Sequence, residues 1–291
     1  MIERKCQEDM EDMSFKIVLD SCGERTEEMK QDERFASAPL VLDVGGETVV
    51  DDETFCQADF LKMVDACPQC PKSSCPSPEQ YLKHFDCEAD HIYAVTLSAE
   101  LSGSYNSAQL GRSLLLENHP DKQVYVFNSR SASAGETLIA EKIRECEEAG
   151  MSFRQVIDTV EQYIAGQHTY FVLENLDTLR KNGRLSKVKA FAASALRIKP
   201  VMGSTPEGEI QPLDQARGIN KALVKMVDCV VKDAEHTEKK ILGIAHCNCP
   251  ERAAMVRDAI MEKIPVAGCI LQDTAGVSSM YANDGGVIVA I

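Results

Sequence analysis

No apolar run in this 291-residue chain is long enough to cross a bilayer, and Met1 to Met13 is acidic and lacks the hydrophobic segment of a secretory signal. A cytoplasmic protein is expected. Basic residues are also in deficit. With 31 of them against 46 acidic residues the formal charge is −15, which repels phosphate backbones and anionic headgroups. Nucleic acid and stable membrane insertion are therefore not expected. Gly-x-Ser-x-Gly is missing, so is Gly-x-x-x-x-Gly-Lys-Ser/Thr, and no acidic cluster suggests Mg²⁺; a serine hydrolase and a kinase both lack their signatures. There is no internal repeat and no low-complexity tract.

What is present is enough apolar material, 44% of residues, to build one or two cores, and the length favours two domains. The 12 cysteines, in a chain without an export signal, read as free thiols, most of them small core residues. Residues 1–13 carry mixed charge without periodicity and read as a disordered tail. The rest alternates between strand and helix. Strands are expected at Phe15 to Leu19, His91 to Thr96 and Gln123 to Phe127, with helices from about Glu24, Ser104 and Ser133. A hairpin is expected where Ala38 to Asp43 and Glu47 to Val50 flank Gly45 and Gly46, and an irregular loop over Cys67 to Pro78. After a helix at Phe153 to Ile164, strands are expected at Thr169 to Leu173 and Ile198 to Met202, with helical segments between them to Ala195. A hairpin around Pro206 to Glu209, a helix over Ala222 to Ala234, a strand at Lys240 to Ala245, a helix from Pro250 and a last strand at Gly286 to Ile291 complete the reading. The fold class is thus α/β: a parallel-sheet, Rossmann-like domain over residues 14–165 and a second, α+β domain over 166–291.

In open α/β sheets, ligands sit beyond the carboxyl ends of strands, where helix N-termini offer free N–H groups to anions. Asp20-Ser21, Leu97 to Ser104 and Asn128 to Ser133 occupy such places. The second combines hydroxyls with Gly103 just as a helix begins, which suits a small anion; a plain N-cap at Ser102 or Ser104 explains the same pattern.

Several segments together resemble the DegV family. Lys72-Ser73-Ser74-Cys75-Pro76-Ser77 is similar to the family's Thr-Ser-Gln-Pro-Ser loop, and Leu97 to Ser107 to its Leu-Ser-Ser-x-Leu-Ser-Gly-Thr-Tyr-x-Ser segment. Further matches are Asp20-Ser21, Asn128 to Ser133, Asn182-Gly183-Arg184-Leu185-Ser186 and Ile198-Lys199-Pro200, so the resemblance runs from about Phe15 to Ile291. It implies a DegV-like two-domain protein with a long-chain fatty acid, of about C14 to C18, between the domains. Its carboxylate would be held by Ser73 and Ser102, with Ser74 as a substitute and Gly103 beside them. It also implies a non-catalytic protein that presents this carboxylate to an ATP-dependent fatty acid kinase for acyl-phosphate formation. Arg217 falls near the family's kinase-docking face; an ordinary solvated arginine is the competing reading. The fatty acid is then a ligand, and no cofactor or metal is expected.

One segment departs from the family. Where many members carry His-Thr-Gly-Pro-Gly, this chain has Gln272-Asp273-Thr274-Ala275-Gly276. A carboxylate at Asp273 would repel that of the ligand, so Gln272 or Thr274 is expected to turn inward instead. Arg184 is expected to cap a helix end or pair with an acid between the domains. Two rival functions remain on the same fold. A zinc site could use Cys67, Cys70 and Cys75 with Cys247 and Cys249. A serine hydrolase would need one of His84, His91, His119, His168, His236 and His246 as its base, although His246 reads better as a cap before the Pro250 helix.

Overall fold

A computed structural model describes residues 14–185 and 198–291. The expected N-terminal tail and the expected helical segments from Ser186 to Ala195 lie outside the described residues. Strands β1 (Phe15–Asp20), β2 (Phe35–Ala38), β3 (Val41–Val44), β4 (Glu47–Val50), β5 (Lys72–Ser74), β6 (His91–Thr96) and β7 (Gln123–Asn128) alternate with helices α1 (Glu27–Gln31), α2 (Gln57–Ala66), α3 (Pro78–Phe85) and α4 (Ser104–Asn118). Helices α5 (Ala134–Glu148) and α6 (Phe153–Ala165) lead to β8 (Thr169–Val172), α7 (Asp177–Lys181), β9 (Ile198–Ser204), β10 (Ile210–Arg217), α8 (Ile219–Asp233), β11 (Ile241–His246), α9 (Pro250–Met261), β12 (Gly268–Asp273), α10 (Gly276–Ala282) and β13 (Val287–Ala290).

The described residues form three sheets. A parallel sheet runs β2-β1-β6-β7, a mixed sheet runs β10-β9-β8-β13-β11-β12, and a small antiparallel sheet runs β4-β3-β5. Every strand of the first ends by Asn128, and every strand of the second begins at or after Thr169. β6 is buried at all six residues because helices cover both faces of its sheet. Tyr93, Val95 and Phe127 meet α5 and α6 on one side, while Ile92, Ala94 and Val126 meet α3 and α4 on the other. α3 starts as its sequence dictates: Ser77 and Gln80 form a capping box and Pro78 occupies the first turn.

The second core lies between the mixed sheet and α8 and α9, around Met226, Val230, Ile244 and Val256. Helix α5 touches both sheets, since Ala134 and Leu138 pack on Ala245 and Ala290. Gly243 in β11 permits this approach, because a Cβ there would stand 3.1 Å from the Leu138 side chain.

The hairpin expected at Gly45-Gly46 is the β3–β4 turn, with φ of 65° and 96°, values a two-residue turn of this kind requires. Four elements differ from the sequence reading. The loop over Cys67 to Pro78 contains β5, because Ser73 pairs with Leu42 and fixes three residues as a strand. β2 and β12 extend their sheets at the edges, where patterning is weak, and α10 lies in a run of poor helix formers; the hairpin expected around Pro206 to Glu209 is the β9–β10 turn.

Candidate functional site

A cavity, about 850 Å³ of empty space including its opening to solvent, lies where β8, β9, α10 and the loops after β1, β6 and β7 converge. Its wall is mainly aliphatic, including Leu40, Leu97, Leu101, Leu173, Ile210 and Ile288. Thr169, Phe171 and Leu173, alternate residues of one strand face, line it in succession, so it follows this strand for roughly 13 Å. Ser131 and Thr169 meet near the start of the strand at 2.5 Å, and Ser204 accepts the Thr169 N–H at 3.3 Å. Those polar groups satisfy one another.

Beyond Leu173 the lining changes. Ser73, Ser102, Arg184 and Tyr281 gather there, each from a different segment. Ser73 and Tyr281 are linked through their hydroxyls at 3.2 Å, and the Arg184 guanidinium lies 5.8 Å from the centre of the Tyr281 ring. Arg184 donates to the Leu101 carbonyl at 3.1 Å and the Asn182 carbonyl at 2.6 Å, which ties the loop after β6 to the end of α7. Its helix-end role is therefore as expected. The acid partner is not, since among the described residues Arg184 forms no ion pair. Ser102 Oγ accepts the Ser104 N–H at 3.2 Å and retains its own proton to donate. Burial raises the Tyr281 phenol above its ordinary value, which keeps it a neutral donor. This cluster can receive an anion: one fixed cation and three hydroxyls at the end of an apolar cavity.

The other expected site residues lie elsewhere. Ser74 is exposed, because strand alternation turns it to the face opposite Ser73. Gly103 caps α4 by its backbone, and a Cβ there would stand 3.2 Å from Cys75 Sγ. Gln272 and Thr274 do not turn into the cavity; they line a separate polar groove with Glu24, Arg25, Asp51 and Gln57. The Gln272 amide donates to the Glu24 carbonyl at 2.9 Å, and Thr274 Oγ1 is bonded to Ser279 Oγ at 2.7 Å. Asp273 is exposed, 3.2 Å from His246 Nδ1. Arg217 is exposed at the end of the edge strand β10.

Asp51 explains this separation. Its carboxylate accepts the N–H groups of Gly276 and Val277 at 2.6 and 2.8 Å and the Ser21 hydroxyl at 2.9 Å. The N-terminus of α10, which would otherwise attract an anion from outside, already holds one from the protein itself. Burial lifts the Asp51 carboxyl to about 6 and that of Glu24, which accepts from Ser133, to about 7. Tyr281 was missed by sequence reasoning. Its i, i+4 spacing from Val277, on the buried face of α10, is the signal that could have found it.

The rival zinc ligands do not assemble. Among the described residues, no group of three donors within reach of one ion includes Cys67, Cys70, Cys75, Cys247 or Cys249. Nor does a histidine appear among the described residues of the cavity wall. His246 accepts the Cys249 N–H at 3.4 Å, so it braces the residue before α9 without capping the helix's own N–H groups.

The model of the DegV family matches residues 14–291. The chain belongs to the DegV family. A DegV domain-containing protein of Streptococcus pneumoniae is 34% identical over 279 residues, covering 95% of this chain and 98% of its own length. Among solved structures, a DegV family protein of Ruminococcus gnavus refined with vaccenic acid is 54% identical, with a TM-score of 0.94 and coverage of 96% of this chain and 100% of its own. The fatty acid kinase B3 protein of Streptococcus pneumoniae, loaded with linoleic acid, is 32% identical, with a TM-score of 0.87 and coverage of 96% and 99%. The α/β architecture read from the sequence is that of these DegV structures. Among the described residues no helix is long and apolar enough to cross a membrane.

Proposed function

We propose that this DegV protein binds one long-chain fatty acid in the cavity along β8, its carboxylate at Ser73, Ser102, Arg184 and Tyr281. The observation that carries this reading is the joining of an aliphatic cavity to a donor cluster that contains a guanidinium. A buried carboxylate needs several donors, and a guanidinium with three hydroxyls supplies them. The acyl chain contributes affinity at roughly 0.8 kcal/mol per buried CH₂. The lipid-loaded relatives from Ruminococcus gnavus and Streptococcus pneumoniae support the same ligand class.

In this reading residues 14–165 and 166–291 are two domains that close over the acyl chain. The protein acts as a carrier in the cytoplasm and presents the carboxylate to a separate ATP-dependent fatty acid kinase, as the kinase B3 relative suggests. Arg217, an exposed cation at the end of β10, would grip phosphate on the docking side. A comparison of palmitic acid with its alcohol, by titration calorimetry on delipidated protein, tests the carboxylate assignment. The acid should bind at one per chain and the alcohol at least tenfold more weakly; equal affinities would remove the anion site. Acyl phosphate formation by a fatty acid kinase with ATP should require the loaded protein, and turnover without it would remove the carrier role.

A further inference from the structure

Beneath the cavity, behind Cys22 on its wall, lies a group of side chains that lipid binding does not use. Asp20, Cys22 and Glu136 are all buried, and one donor atom from each lies within 4.8 Å of the others. Asp20 is well held: Oδ2 accepts the Leu97 N–H at 2.9 Å and the Ser104 hydroxyl at 2.5 Å, and Oδ1 accepts the Cys22 N–H at 3.1 Å. Oδ1 thus keeps a lone pair. Glu136 differs: at 0% exposed, neither carboxyl oxygen is in hydrogen-bond geometry with any partner, and the polar groups that approach it are Asp20 and Cys22 themselves. Among the described residues no lysine or arginine pairs with either acid. An unpartnered buried carboxyl group costs several kcal/mol unless something supplies positive charge or a proton.

We propose that Asp20, Cys22 and Glu136 form a binding site for one divalent cation of the zinc type. The donor set is a thiol and two carboxyls, which suits a borderline ion better than magnesium or calcium, since those take oxygen ligands alone. Asp20 ends β1, Cys22 follows in the loop after it and Glu136 lies in the first turn of α5, so the ion would join the end of β1, whose loop reaches the cavity through Cys22, to α5. Binding releases the Cys22 thiol proton and the Glu136 carboxyl proton, leaving thiolate and carboxylate on the metal. The rival is a neutral Glu136 that gives its proton to Asp20, with no ion at all.

The test uses the full chain, freed of metal by chelator and then dialysed against zinc chloride or cobalt chloride. Expected are one equivalent of tightly held zinc, a rise in Tm, and a cobalt–thiolate charge-transfer band, all lost in both Cys22→Ala and Glu136→Gln but kept in a Cys247→Ala control. Zinc well below stoichiometric would overturn the proposal, as would a cobalt band that survives Cys22→Ala. So would a neutral carboxylic acid infrared band that is absent from Glu136→Gln yet persists in zinc-treated wild type. Glu136→Gln preserves side-chain volume, and its Tm without metal reports separately whether it folds.

Discussion

Two polar regions flank helix α10 and use their charges in opposite ways. At the cavity end, Ser73, Ser102, Tyr281 and Arg184 are donors facing apolar space. At the helix start, Asp51, Glu24, Gln272 and Thr274 are bonded to one another's surroundings, and the helix N–H groups are spent on the Asp51 carboxylate. The same helix therefore offers its side chains to a ligand and its N-terminus to the protein's own acid. A donor in a pattern becomes a binding group only when the fold faces it onto apolar space with N–H or O–H groups to spare beyond its internal bonds.

Changes in the helix-start region should act on stability, and changes at the cavity end on affinity. The largest expected effect is that of Asp51→Ala, which strands two buried N–H groups and should cost about 3 kcal/mol of unfolding free energy in urea. A loss below about 0.5 kcal/mol would show that the helix start does not depend on this acid. Arg184→Gln should weaken fatty acid binding by about 2 kcal/mol, roughly thirtyfold in Kd, with a smaller loss of about 1 kcal/mol in the stability of the delipidated protein from its bonds to the Leu101 and Asn182 carbonyls. An equal loss of stability and affinity would merge the two regions.

The helix-start acids also predict a pH dependence. Glu24 rises from an ordinary 4.5 to about 7, and Asp51 from 3.8 to about 6, mainly through burial. The folded chain then holds these protons more tightly than the unfolded chain. Their contribution to stability is present at low pH, is lost as pH rises through the window from about 4 to 7, and changes little above it. Urea midpoints at fixed ionic strength should fall across that window, and Glu24→Gln should flatten the fall; a rise with pH would reverse the assignment. The smallest effect is that of Gln272→Ala, which should leave palmitic acid affinity within about twofold, because its amide is bonded to the Glu24 carbonyl outside the cavity. A tenfold loss would return Gln272 to the ligand.

β1, β6 and β7 were legible because strands buried on both faces read as apolar runs. The turn into β10 was read as a hairpin, but the strand's extent was not, since Ile-Gln-Pro-Leu-Asp-Gln-Ala-Arg contains a proline and is half exposed, as an edge strand permits. α10 was hidden in Gly276-Val277-Ser278-Ser279, poor helix formers that become helical through burial and the Asp51 cap. In the site, Ser73 and Ser102 could be placed by their family motifs. Arg184 and Tyr281 required the fold, because more than 200 residues separate Ser73 from Tyr281 and only tertiary packing brings their hydroxyls together.

The central claim is that an acyl carboxylate ends among Ser73, Ser102, Arg184 and Tyr281. Native mass spectrometry of the wild type and of Ser73→Ala/Ser102→Ala, each purified without added lipid, tests it most directly. One acid of about C14 to C18 per chain is predicted for the wild type and little or none for the double variant, with equal Tm after delipidation. Lipid retained by the variant at wild-type stoichiometry would contradict the account.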